Sequence, residues 1–125
     1  MTTNTPTPET KTYEGGCHCK AVRYRVTMKL EQVTACNCSI CSKMGWLLAF
    51  APGDGFELLT SPDALGDYQF AQKHIHRLFC KTCGVNSFGW GNAKDGSKMY
   101  AINVRCLDDV DAEALPVQRF DGKSL

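Results

Sequence analysis

Apolar and polar residues alternate with a period of two soon after the first cysteines. Val22, Tyr24, Val26 and Met28 fall on one face, and Arg23, Arg25 and Thr27 on the other. This is the signature of a strand with one buried side. Trp46 to Ala51 is a short apolar run, closed by the turn-forming Pro52-Gly53-Asp54-Gly55. Phe56 to Thr60, Asp67 to Ala71, Ile75 to Phe79, Val85 to Trp90 and Lys98 to Val104 read as further strands. Gly91-Asn92 and Lys94-Asp95-Gly96 separate the last two. Asp108 to Leu115 predicts one or two helical turns ahead of Pro116. Many short strands with regular turns predict an all-β, mainly antiparallel domain, a sandwich or barrel-like sheet set with little helix.

The Thr- and Pro-rich stretch from Met1 to Gly16 has no apolar h-region and does not read as a secretory signal. Residues 1–12 are expected to be a disordered arm and 13–125 a single domain, the size that one core serves. Lys and Arg number 14 against 13 Asp and Glu, a net charge of +1. Phosphate-gripping proteins usually carry a basic excess, so nucleic acid is not an expected partner. No run approaches the roughly 20 apolar residues of a membrane span. The expected location is the cytoplasm.

Eight cysteines in such a chain call for a chemical reason, because a reducing compartment disfavours structural disulfides and favours metal ligation. Seven of them form three groups: Cys17-His18-Cys19, Cys36-Asn37-Cys38-Ser39-Ile40-Cys41 and Cys80-Lys81-Thr82-Cys83-Gly84. Thiolates two or three positions apart turn easily onto one ion. Seven ligands divide into four, a closed structural site, and three, which leave one tetrahedral position open for chemistry. Spacing alone does not say which groups combine, and iron–sulfur ligation is the minor alternative to zinc for a four-cysteine set.

Gly16-Cys17-His18-Cys19, Cys36-x-Cys38-x-x-Cys41 with Gly45, and Phe79-Cys80-x-x-Cys83-Gly84 together resemble the glutathione-dependent formaldehyde-activating enzyme family. The tail Asn103-Val104-Arg105-Cys106-Leu107-Asp108 resembles its centromere-protein-V-like branch. The resemblance runs from about Tyr13 to Asp108. It implies an Mss4-like β-sheet domain stapled by zinc, with two zinc ions per chain. By the same resemblance, Cys17, Cys19, Cys80 and Cys83 hold a structural zinc, and Cys36, Cys38 and Cys41 hold a catalytic one. The implied activity is carbon–sulfur lyase chemistry on adducts of a glutathione-like thiol and an aldehyde such as formaldehyde. Many relatives have Gly directly after the first cysteine pair, where this chain has Lys20. The basic arm through which the centromeric relative engages cytoskeleton has no counterpart here, so a microtubule role does not carry over.

The alternative expectation is a non-catalytic, zinc-stabilised binding module on the same Mss4-like fold, since fold does not dictate function. No general acid or base is assigned. His74 and His76 share a strand face with Leu78, where a proton shuttle competes with an ordinary hydrogen-bonded role. His18, between two ligands, should point away from the metal. Trp46, Phe50, Phe88 and Trp90 are candidates for the walls of an aldehyde pocket or for plain core. Lys43 and Arg105 are candidates for thiol-substrate carboxylates or for solvated charge. Cys106 is expected to be a buried, inert thiol.

Overall fold

The computed structural model of the protein describes residues 10–69, 75–93 and 95–121. Its strands are Thr10–Gly16 (β1), Arg23–Lys29 (β2), Val33–Cys36 (β3), Leu48–Pro52 (β4), Phe56–Leu58 (β5), Leu65–Tyr68 (β6), Ile75–Cys80 (β7), Phe88–Asn92 (β8), Lys98–Asn103 (β9) and Val117–Phe120 (β10). The helix Ser39–Met44 (α1) joins β3 to β4. Among the described residues no helix is long and apolar enough to cross a membrane.

Two sheets result. One has three strands in the order β1-β2-β5, and the other has seven in the order β10-β3-β4-β9-β8-β7-β6. Pairing is antiparallel throughout except for the parallel pair β10–β3. The chain is therefore the mainly antiparallel all-β domain that its alternation predicts. Val22, Tyr24, Val26 and Met28 are all buried and meet Ala49 and Ala51 of β4, Phe88 of β8 and Ile102 of β9 in one core. Each fully buried large apolar side chain of this kind contributes about 1.5–3 kcal/mol. Phe56 and Tyr100 stack across the two sheets at 4.0 Å, and the Tyr24 hydroxyl donates to the Ser87 carbonyl at 3.1 Å, which satisfies the polar tip of that buried ring.

Register then decides what the far side of the large sheet presents. Arg77, Gly89, Ala101 and Phe50 stand directly across from one another on β7, β8, β9 and β4. Thr34 pairs with Leu48, and Gln118 and Phe120 of β10 pair with Thr34 and Cys36. Cross-strand partners share a face, so this row lies opposite the core. Its middle, Gly89 and Ala101, is small, and its ends are large. A concave surface follows.

Several elements differ in extent from expectation. Val85–Ser87 precede rather than enter β8, and Asp108 to Leu115 holds a single 3-10 turn, Ala112–Ala114. β1 takes in Thr10–Gly16, which includes the last three residues of the arm expected over 1–12. Its polar side chains stay in solvent while its backbone pairs with β2. Residues 1–9 lie outside the described residues, as do residues 70 and 71 of the strand expected to end at Ala71.

Candidate functional site

Cys17 and Cys19 sit on the turn that follows β1, and Cys80 and Cys83 on the turn that ends β7. All four sulfurs lie within 4.8 Å of one another. Cys19 Sγ stands 3.7 Å from Cys17 Sγ and 3.6 Å from Cys80 Sγ. A tetrahedral ion with Zn–S bonds near 2.3 Å requires sulfurs about 3.8 Å apart, so the cage has the size of zinc. Backbone amides point at the sulfurs: Val22 N–H at Cys17 (3.3 Å), Thr82 N–H and Cys83 N–H at Cys80 (3.3 and 3.4 Å). Gly84 adopts φ +79 and Lys20 φ +71, the left-handed conformation that lets each turn fold back on its thiols. Glycine takes it freely, whereas lysine does so at a cost.

The donor chemistry fits a cation as well. The Val85 amide draws the Cys83 thiol down to about 6, and the Cys83 amide lowers Cys80. The Ala21 amide is the strongest single influence on Cys19 and favours its thiolate, yet the sulfurs of Cys80, Cys17 and Cys83 together with desolvation push it up to about 11. Thiolates this close cannot all ionise unless positive charge sits among them.

The second group is built locally. Cys36 ends β3, Cys38 caps α1, and Cys41 lies one turn into that helix, so Cys38 and Cys41 share its face. Their three sulfurs also lie within 4.8 Å of one another. The Cys38 amide donates to Cys36 Sγ at 3.5 Å. Gly45 closes the helix at φ +68 with its N–H on the Cys41 carbonyl, which turns Trp46 back so that its indole N–H donates to Cys41 Sγ at 3.3 Å. Burial pushes the Cys41 thiol up to about 11 against the pull of that indole. Burial opposes ionisation of Cys38 too, yet the Cys41 amide and neighbouring sulfurs win and lower it. Either group could hold a metal ion, the first with four donors and the second with three.

The three-sulfur group opens onto a sizeable cavity that none of Cys17, Cys19, Cys80 and Cys83 lines. It forms part of the wall of a pocket of about 550 Å³ on the concave face of the large sheet, with Trp46, Phe50, Ile75, Arg77 and Phe120 among the other lining residues. Of the aromatic candidates, Trp46 and Phe50 are there. Phe88 is core, and Trp90 stacks on His76 at 4.0 Å. His76 binds Asp67 at 2.6 Å on the opposite face of β7 from Arg77, so it does not reach the pocket. His74 lies outside the described residues. His18 and Lys43 are exposed, and Arg105 pairs with Glu113 at 3.0 Å. Cys106 is half-buried, its thiol pushed up to about 11 by desolvation.

Sequence reasoning did not single out Arg77, and it took Asn103 only as the first residue of the family-like tail. Arg77 is only 6% exposed, and a charge inside an apolar strand pattern was the available signal. Asn103 accepts from Leu47 N–H and Arg105 N–H and donates to the Asn86 carbonyl at 3.0 Å. It thus ties the segment after Trp46 to the loop that follows Cys83.

The comparisons agree with this geometry. A protein-family model described as glutathione-dependent formaldehyde-activating enzyme matches residues 12–120. An uncharacterized lyase of Schizosaccharomyces pombe is 27% identical over 108 residues, covering 82% of this chain and 75% of that one. The crystal structure of a Rhodobacter sphaeroides protein superposes with a TM-score of 0.73 at 26% identity, over 84% of this chain and 99% of that one. The match spans nearly the whole chain and includes all seven clustered cysteines: this protein belongs to the glutathione-dependent formaldehyde-activating enzyme family.

Proposed function

We propose that the protein is a zinc-dependent carbon–sulfur lyase that makes or cleaves adducts of a glutathione-like thiol and an aldehyde. In this reading Cys17, Cys19, Cys80 and Cys83 hold a structural zinc, and Cys36, Cys38 and Cys41 a catalytic one. The observation that carries it is the asymmetry between the clusters: the three-donor group lines a pocket of about 550 Å³, and the four-donor group does not. The family and its lyase-named relative point to the same chemistry. Eight free thiols suit a reducing compartment, and the cytoplasm is the proposed location.

Zinc held by Cys36, Cys38 and Cys41 would supply a soft centre that favours the deprotonated form of a substrate thiol. The chain's own residues do the rest. The Trp46 indole fixes Cys41, α1 fixes Cys38 against Cys41, and Trp46, Leu48 and Ala101 give the reacting atoms an apolar wall. In the forward direction the substrate sulfur gives an electron pair to the aldehyde carbon. The carbonyl π pair moves to oxygen, which takes up the proton that the thiol released. Cleavage is the reverse. Holding two reactants together in this way is worth a large effective molarity.

A pair of variants tests the assignment. Cys80→Ser should unfold the domain, since a structural site supplies on the order of 10 kcal/mol of apparent binding energy. Cys38→Ser should stay folded, lose one metal equivalent and lose turnover. Equal unfolding of the two variants would overturn the catalytic role. A folded wild-type protein with both ions and no turnover would leave the binding-module reading standing instead.

A further inference from the structure

Resting on that lyase reading, we infer that the pocket is shaped for an aldehyde carrying a bulky apolar substituent, aryl or branched alkyl, rather than for a one-carbon aldehyde. Size is the first reason. Formaldehyde is little larger than water, whose share of liquid volume is about 30 Å³, whereas this cavity is about 550 Å³ and lies in the range that encloses a drug-sized ligand.

The lining is the second reason. Leu48, Trp46 and Ala101 form its apolar floor and side. Phe50, Ile75 and Phe120 stand at its rim with 51%, 44% and 48% of their surfaces exposed. Six large hydrophobic residues are exposed among the described residues, and three of them gather here. Scattered singly, such residues need no explanation, but a cluster around a cavity marks a binding site. Arg77, Arg119, Gln118 and Thr34 also line the pocket and can meet the carboxylates of a glutathione-like tripeptide, whereas no acidic residue lines it to meet the ammonium. The tripeptide is therefore placed along these polar groups, with its sulfur toward Cys36, Cys38 and Cys41. The apolar part, walled by Trp46, Leu48, Phe50, Ile75, Ala101 and Phe120, is left to the group on the carbonyl carbon.

The third reason is topological. Gly89 and Ala101 stand side by side in the row that runs from Arg77 to Phe50. Gly89 has no side chain because a Cβ would meet the His76 carbonyl oxygen at 2.5 Å. The large side chains of Arg77 and Phe50 on the flanking strands stand on either side of this low middle and leave a slot between them.

The test is a substrate series on the zinc-loaded wild-type protein at saturating glutathione: formaldehyde, acetaldehyde, 3-methylbutanal and phenylacetaldehyde. Expected is a kcat/KM for the last two at least about tenfold above formaldehyde, since even a few newly buried methylenes confer that much. A parallel measurement uses binding alone, with S-benzyl and S-methyl thioethers of glutathione followed by quenching of tryptophan fluorescence. The benzyl compound should bind at least about tenfold tighter, and Ala101→Phe, which fills the slot, should shrink that ratio toward one. Formaldehyde turned over fastest, with the two thioethers bound equally, would overturn the inference while the lyase reading survives. Selective benzyl binding without turnover of any aldehyde would uphold the pocket's preference and sink the lyase reading.

Discussion

Replacing Trp46 by phenylalanine removes one hydrogen-bond donor from the three-sulfur group and keeps an aromatic ring in place. Trp46 is 4% exposed, and its indole N–H lies 3.3 Å from Cys41 Sγ. Hydrogen bonds to charged acceptors contribute about 1.5–3 kcal/mol, and the length of this one argues for the lower end. That corresponds to about tenfold in metal affinity, within the range seen when a supporting contact to a metal ligand is lost. The four-sulfur group serves as an internal control, because Trp46 packs with Cys41 and Leu48 in a separate cluster from the main core. The assay is zinc competition against a chromophoric chelator, with the two equivalents resolved, alongside urea unfolding to confirm the fold. Trp46→Phe should weaken one equivalent about tenfold and leave the other within about twofold. No change at the weaker site in a folded protein, or equal loss at both, refutes the idea that the indole supports a metal ligand.

Lys20→Gly should stabilise the protein by about 1 kcal/mol in urea unfolding, because it relieves a non-glycine residue at φ +71; a destabilised variant would show that the lysine side chain compensates. Phe88→Ala removes a core ring, 2% exposed, that packs against Tyr24, Phe56 and Tyr100, and about 3–5 kcal/mol should be lost in the same assay. The Arg23 guanidinium beside Asp108 holds that carboxyl below its ordinary value. A depressed carboxyl stabilises the fold above the unfolded-state value of about 3.9 and stops doing so as pH falls through its folded value. Asp108→Asn should therefore be less stable at pH 7, by under about 1 kcal/mol since the pair is partly exposed, and its difference from wild type should vanish in strong acid.

The core was legible because the stretch leading into β2 and through it announces itself: Val22, Tyr24, Val26 and Met28 alternate, all apolar, all buried. The four-sulfur and three-sulfur groups were legible from spacing together with family resemblance. What stayed hidden is what pairing alone creates. β1 and β10 have largely exposed side chains with no clean apolar alternation, and they become strands because β2 and β3 offer backbone partners. At six residues α1 is too short to show a period, yet it sets Cys38 beside Cys41. The pocket could not be read from the chain either, since its walls come from five strands whose register brings Arg77, Ala101, Phe50, Thr34 and Phe120 together. The Lys20 departure noted in the sequence acquires its meaning only from a backbone angle.

The two thiol clusters also differ in how far the chain must travel to build them. Cys36, Cys38 and Cys41 are near neighbours in sequence, whereas Cys19 and Cys80 are 61 positions apart. A chain still being synthesised thus exposes a competent trio of soft ligands long before its second knuckle exists. An ion captured there would owe little to the tertiary structure, and to the extent that the denatured chain also binds it, it would lend the native state little thermodynamic advantage. On the proposed assignment the distant quartet would behave oppositely: it comes together only with the fold, closes a long loop and would make metal uptake and cooperative folding one event. Limiting zinc during expression should accordingly deplete soluble protein through the quartet, while the trio is filled early and by whichever thiophilic metal arrives first.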